Sequence, residues 1–373
     1  MILIKEVKTR CEIKKFTEFP NKLFKKIKAF TPALSMDERN VFNKKKNPAH
    51  EYVDSIRFLA YKDNKLVGRI AGIVNHKLNY ELGKKQVRFT RLDMIDDINV
   101  TTALINAVVT WGKENFITNE IIGPIGFTDL DRQGMLIDGF EELNLFITIY
   151  NEPYYKDHME KLGFLKDVDW IETRISWPPI VPDKLAKATD LIKKRYGFYL
   201  HKPKSKKEIP GLIYEVFDIY NIAFKSLYGF YPITRKVIDY YVKQVISLVQ
   251  LDWIWLVYDS KNEIAGFGVA MPSLGLANKK NNGKLFPFGW LRILKALKKN
   301  NSIDFYFIAV KPEHQGKGLP ALIFEDGIKV GVKHNIKWAE TGPELEKNFA
   351  ILSFWQGFDH KHHRRRRCWI KEI

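Results

Sequence analysis

The 373-residue chain has almost no cysteine, and the two it has, Cys11 and Cys368, stand near opposite ends. Two such residues build neither a disulfide framework nor a cysteine-rich metal cage, so no metal site is expected and a reducing cytoplasm fits best. Long apolar runs are missing too. Nowhere do about 18 uncharged residues follow one another, which argues against a spanning helix. The first residues, MILIKEVKTRCEIKKF, are charged every few positions, unlike a secretory signal. Acid is also scarce, with 43 Asp and Glu against 61 Lys and Arg, a formal charge of +18. That excess implies attraction to an anion: nucleic acid, a lipid surface, or a phosphorylated cofactor or substrate. Most of the lysines are expected on solvated faces, since their heads prefer water whether or not a ligand exists.

What is present is apolar material for more than one core, 45% hydrophobic and 13% aromatic. At this length two lobes are the default. A weak internal repeat supports them. RFLAYKDNKLVGRIAGIV (57–74) and WLVYDSKNEIAGFGVAMP (255–272) both read as strand, polar turn and glycine-bearing strand, with Tyr61 matching Tyr258 and Gly68 roughly matching Gly266. PYYKDHMEKLGF (153–164) and NFAILSFWQGF (348–358) both read as a helix stopped by glycine, Gly163 or Gly357, before a hydrophobic residue. Clustered prolines from Trp177 to Pro182 and the basic stretch KPKSKKEIP (202–210) resemble a connector. The expected division is therefore 1–177, a connector at 178–205, and 206–373.

The segment with the clearest chemistry follows the apolar run DFYFIAV (304–310). It continues as KPEHQGKGLPALIFEDGIKVGVKH, a glycine loop leading into an amphipathic helix from Leu319. The first-turn amides of a helix have no intrahelical acceptors, and the helix dipole adds positive charge there, so a pyrophosphate would be held. Glycines let backbone amides approach phosphate oxygens, and Lys317 adds a cation. Gly-Lys-Ser/Thr and Gly-x-Gly-x-x-Gly are both absent, which sets aside nucleotide P-loops and dinucleotide folds.

Val310-Lys311-Pro312 followed by Gln315 and Gly318, with Gly316 and Lys317 between them, resembles the pyrophosphate loop, Gln-x-x-Gly-x-small, of the GNAT superfamily of acyl-coenzyme A dependent N-acyltransferases. Pro320 stands where that pattern has Gly or Ala and removes one amide donor. The resemblance covers about residues 250–373, and more weakly 50–175. It implies an α/β protein of two tandem GNAT-like lobes, each a mixed, mostly antiparallel sheet flanked by helices. It further implies acetyl-CoA, or another acyl-CoA, bound in an opening between the strand ending at Val310 and the strand near Glu340. Backbone groups of Ile308 and Val310 would meet the pantetheine amides, the loop from Gln315 through Lys317 and Leu319 to Pro320 would hold the pyrophosphate, and Asn348 would lie near the cofactor. The expected reaction is acetyl transfer to a primary amine of a small molecule or peptide, with Glu340 as general base. The tyrosine that usually serves as acid in the last helix is absent: the candidate positions hold Ser353 and Trp355. Two alternatives stand beside this reading, a Fem-like transferase using aminoacyl-tRNA and a GNAT scaffold binding RNA or protein without catalysis.

In the first half no glycine loop occupies the matching region, RFTRLDMIDDINVTTALINAVVTWGKENF (88–116). Asp93, Asp96 and Asp97 would repel a pyrophosphate there while suiting helix caps, so this lobe is expected to bind no CoA. LFPFGWLRILKALKK (285–299) is a basic amphipathic helix, with Leu291, Leu294 and Leu297 on one face. It would suit anionic lipid, but a role covering a lobe or roofing the site is favoured. His360, His362 and His363 followed by Arg364 to Arg367 are read chiefly as a solvated strand end, with a metal site or an anionic-substrate or RNA contact as lesser alternatives.

Overall fold

The structure, a computed structural model, describes residues 1–373. Its first half runs β1 (Ile2–Glu6), α1 (Arg10–Leu23), α2 (Ser35–Val41), β2 (Val53–Lys62), β3 (Lys65–Asn75), α3 (His76–Leu82), β4 (Gln86–Met94), α4 (Ile98–Phe116), β5 (Glu120–Gly123), β6 (Met135–Asp138), α5 (Tyr154–Lys161) and β7 (Leu165–Ser176). A crossover helix, α6 (Asp183–Tyr196), leads to the second half. That half runs β8 (Tyr199–His201), α7 (Ile209–Phe224), α8 (Arg235–Val245), β9 (Ile254–Tyr258), β10 (Ile264–Pro272), α9 (Gly275–Lys280), α10 (Gly289–Lys298), β11 (Ser302–Val310), α11 (Leu319–Lys333), β12 (Trp338–Thr341), β13 (Glu344–Leu345), α12 (Phe349–Trp355) and β14 (His360–Glu372). Apart from the helices inserted after each hairpin (α3, and α9 with α10), the order strand, two helices, hairpin, strand, helix, strand therefore occurs twice.

The repeat seen in the sequence is a repeat of close approach. A Cβ on Gly266 would lie 2.8 Å from the Ala309 carbonyl oxygen, and one on Gly68 would lie 3.2 Å from that of Asp93. Each glycine thus lets its strand press against the next strand of its own lobe. By register Gly68 faces Met94 and Gly266 faces Val310, which makes Met94 and Val310 equivalent.

The two halves exchange their last strands. All strands form one 14-stranded sheet in which β14 pairs antiparallel with β5 and β7, while β7 also pairs antiparallel with β12. The HKHHRRRRCWI segment is therefore a central strand and not a solvated strand end. Alternation along β14 sends Arg364 and Arg366 to one face, where both are buried and donate to Glu172. Arg364 also reaches Glu340, and Arg366 Nη2 donates to Asn144 Oδ1 at 2.7 Å. Arg365 and Arg367 meet Asp169 on the other face, at 3.3 and 2.8 Å. Removing one partner of such a buried pair typically costs about 3–5 kcal/mol, so this tract is structural stitching and not an anion-binding surface.

Cores follow the same division. Val87, Leu104, Val108 and Ile121 centre one cluster between β3, β4 and α4, and Trp255, Ile303, Leu322 and Ile323 centre its counterpart under α11. A third cluster joins Phe16, Phe42 and Phe127 to Tyr220 and Val237, burying α7 and α8 against the first half.

Candidate acyl-CoA site

β11 and β12 run parallel and pair only from Ser302↔Trp338 to Phe305↔Thr341. After a last bond from Gly342 N–H to the Phe305 carbonyl, β12 turns away at Pro343. Tyr306 to Val310 continue without a partner on that side, while β10 pairs the other side through Gly266↔Val310. A β-bulge sits at the parting point, because Ala270 faces Phe305, Val269 faces Phe307, and Tyr306 is the extra residue. Lys311 N–H donates to Ala265 across β10, so by alternation the amides of Val310 and Ile308 point into the opening. The Val310 carbonyl accepts from Gln315 Nε2 at 3.3 Å, which fixes the loop to the strand end.

Above the opening, Pro312–His314 make one short turn and Gly316 and Gly318 adopt left-handed φ of 73° and 81°. Gln315 N–H is held by Pro312 O at 3.2 Å and Lys317 N–H by His314 O at 3.4 Å. The amides of Gly316, Gly318 and Leu319 donate to no group of the chain, and α11 has no side-chain cap. These are the orphan donors of a helix start, concentrated by two left-handed glycines. A Cβ on Gly318 would lie 2.6 Å from Ile192 of α6, so glycine is required there by packing as well as by φ. Lys317 Nζ stands 3.4 Å from His314 Nδ1 and 5.8 Å from the Tyr196 ring centre. Pro320 occupies the first turn of α11, and Asn348 is the residue before α12, half-buried, its side chain making no hydrogen bond. A diphosphate with an extended amide arm fits this donor set: three unengaged amides and a lysine over an unpaired strand edge.

Glu340 lies elsewhere. It is 2% exposed, and its Oε1 accepts from Arg174 Nε and Nη2 at 3.1 and 2.7 Å while Oε2 accepts from Arg364. Both oxygens hold guanidinium groups, and an incoming amine would have to break an ion pair to reach them. The expectation of Glu340 as general base is corrected to an anchor between β12, β7 and β14.

Two other acids flank the parting point. Asp304 pairs with Glu340 in register, is 1% exposed, and leaves Oδ1 without a partner. The hydroxyl of nearby Tyr306 is buried and unpartnered too. Burial, reinforced by Glu340, pushes the Asp304 carboxyl up to about 8. On the other side Glu344 is half-buried, and both its oxygens accept from Trp355 Nε1, at 3.1 and 2.9 Å. The Trp355 ring stacks on Phe305, with centres 6.0 Å apart, which places Glu344 beside the bulge. Burial raises the Glu344 carboxyl to about 8, partly opposed by the indole. Sequence reasoning missed both acids. Asp304 had a signal, being a lone charge opening an otherwise apolar strand; Glu344 had none, since only the fold brings Trp355 over it.

Helix α10 buries Ile293 and Leu297 against Leu274 and Ala277, whereas Leu291 and Leu294 lie outward with Trp290. Leu297 therefore does not share the outer face, and the helix covers α9 and the end of β10 in the second half.

No family model matches the chain. It is 26% identical over 382 residues to Protein YghO of Escherichia coli (strain K12), an alignment covering 100% of this chain and 95% of that protein. A bacterial ceramide synthase of Caulobacter vibrioides is 23% identical over 380 residues, covering 98% and 96%. Among solved structures, a tandem GNAT protein from the clavulanic acid biosynthesis pathway superposes with a TM-score of 0.57 at 10% identity, covering 100% of this chain and 98% of that one. A GCN5-related glucosamine N-acetyltransferase region of a fungal multi-domain β-N-acetylglucosaminidase gives a TM-score of 0.59 at 13% identity, covering 100% and 38%. The fold is that of a tandem GNAT protein, as the loop motif and the repeat led us to expect.

Proposed function

We propose that the chain is an acyl-CoA dependent N-acyltransferase whose single CoA site lies in the second half, acting on a primary amine. The observation that carries this is the unpaired edge of β11 from Tyr306 to Val310, lying directly below the unengaged amides of Gly316, Gly318 and Leu319. The CoA thioester supplies an activated acyl carbon. The three amides and Lys317 bind its diphosphate, and the backbone of Ile308 and Val310 orients the amide arm. Asp304 Oδ1, buried and unpartnered next to the parting point, takes the proton of the attacking amine once it is ionised. Glu344, protonated below about pH 8, gives a proton to the departing thiolate in the role of the missing tyrosine.

Acetyl is the first acyl group to test. A relative named a bacterial ceramide synthase supports a second reading, because a ceramide is the N-acyl amide of a long-chain amino alcohol: a longer acyl-CoA and a lipid amine. Thiol release from acetyl-CoA and from palmitoyl-CoA, with ethanolamine and with sphinganine as acceptors, discriminates the readings. Glu344→Gln should lower kcat about 100-fold with KM for the acyl-CoA unchanged. No thiol release in any pairing, together with no CoA binding by calorimetry, sinks the proposal.

A further inference from the structure

Between Glu263 and Asp304 the chain carries seven lysines and arginines and no acid. The same stretch exposes a concentration of large apolar side chains. Phe286 is 77% exposed, Phe288 68% and Leu276 63%, and Trp290, Leu291 and Leu294 are each more than 40% exposed. This face is held rigidly. Ile293 and Leu297 anchor α10 on α9, Asn281 Nδ2 donates to Gly289 O at 2.8 Å, and Arg292 Nη1 donates to Asn281 Oδ1 at 3.0 Å. A helix with one anchored stripe and an outward apolar stripe among lysines has no partner for that outer stripe in this chain.

The geometry points to peripheral docking of this face on an anionic membrane surface. Phe286, Phe288, Trp290 and Leu294 would enter the headgroup boundary, while Lys295 and Lys298 meet acidic lipid. The outward residues combine both parts of an interfacial anchor, aromatic and aliphatic side chains with basic ones and no acid among them. A second copy of the chain fits worse, because a two-fold contact would oppose the same cations. Placement agrees. α9 and α10 connect the end of β10 at Pro272 to the start of β11 at Ser302, and Pro272 pairs with Ile303. That end of β11 lies roughly 25 Å of strand from Val310 and the glycine loop. Docking here leaves the loop facing water and brings the Asp304 end of the strand toward the lipid. No helix is long and apolar enough to cross a membrane, so attachment is at the surface.

Co-sedimentation of the full chain, without CoA, with phosphatidylcholine vesicles containing or lacking phosphatidylglycerol tests this apart from any acyl transfer. The wild-type chain should pellet with the acidic vesicles. Trp290→Ser with Leu294→Ser should weaken partitioning at least about tenfold. Lys295→Glu with Lys298→Glu should weaken it at least about fivefold per charge. Because the altered side chains are exposed or half-exposed, both variants should melt with the wild type. Wild-type protein left in the supernatant overturns the proposal. So does an apolar double variant that pellets like the wild type, which would reduce the binding to diffuse attraction by a +18 protein. A patch that on light scattering forms a dimer abolished by the same substitutions, with vesicle binding untouched, would assign the face to a second copy and equally overturn it.

Discussion

The two halves share one plan, and the difference lies in what fills the opening beyond the parallel pair. In the first half β4 and β5 pair from Gln86↔Glu120 to Arg88↔Ile122 and then part, as β11 and β12 do. There the strand end is already satisfied. Met94, the counterpart of Val310, accepts from Tyr154 at 2.6 Å through its carbonyl and donates to the Tyr155 hydroxyl at 3.0 Å. The tyrosines of α5 thus engage both backbone groups of Met94, whereas at Val310 the carbonyl is held by Gln315 and the amide faces the opening. No glycine loop precedes α4. Asp97 caps that helix through Asn99 N–H at 3.0 Å and binds Lys62 at 2.8 Å, while Asp93 is buried against Arg69 at 2.6 Å. By strand register Arg88 stands where the second half has Asp304, and Ile122 where it has Glu340. One copy of the fold has thus been closed by side chains, and the other left with unengaged amides.

The strongest way to break this comparison is to count ligands. Calorimetry with CoA should give one site per chain, and Gly318→Val should abolish it. Valine strains a φ of 81° and displaces two amides that each contribute roughly 1.5 kcal/mol or more to a charged ligand, so affinity should fall at least about 100-fold. Two sites in the wild type, or full binding in the variant, would show the halves to be alike.

Closing the first half carries its own energetic signature. Tyr155 is fully buried, and Tyr155→Phe leaves the Met94 amide without its acceptor at a cost of about 1–3 kcal/mol. Urea denaturation should read that loss while CoA affinity stays at the wild-type value. A variant that gained a second CoA equivalent would mean that one hydroxyl, rather than the whole filled opening, separates the halves.

Much of this was legible from local pattern. The glycine loop, its strand and its helix are contiguous, so periodicity and punctuation reveal them together. The tandem repeat was legible through Gly68 and Gly266, because a close strand approach demands glycine wherever it recurs. Strand exchange was not. A strand's period of two says which residues share a face but nothing about the edge it joins, and β14 joins β5 and β7, elements far back in the chain. The same blindness hid the arginines' partners. Glu172 and Asp169 precede Arg364 and Arg367 by nearly 200 residues, so a basic run destined for the interior looked like one destined for water. It also misplaced Glu340, whose two guanidinium partners come from β7 and β14.

The subtlest difference between the halves is Asp304 against Arg88, and it should appear as a dependence of stability on pH. The Asp304 carboxyl rises from 3.8 to about 8 on folding because burial disfavours its charge. The folded chain therefore keeps a proton that the unfolded chain releases. Stability associated with this group is complete below about pH 4 and is lost as pH rises through about 8. Asp304→Asn is neutral in both states and escapes that loss. Its melting temperature relative to wild type should climb between pH 5 and pH 8, reaching a gain of about 2 °C or more, and level off above. Arg88→Gln should show no such climb, since its guanidinium stays protonated across the range. A flat difference for Asp304→Asn would mean that the carboxyl is already ionised in the folded chain. Its charge would then be balanced by a cation such as Arg364, and Asp304 would differ from Arg88 in the sign of its charge rather than in a proton held by burial.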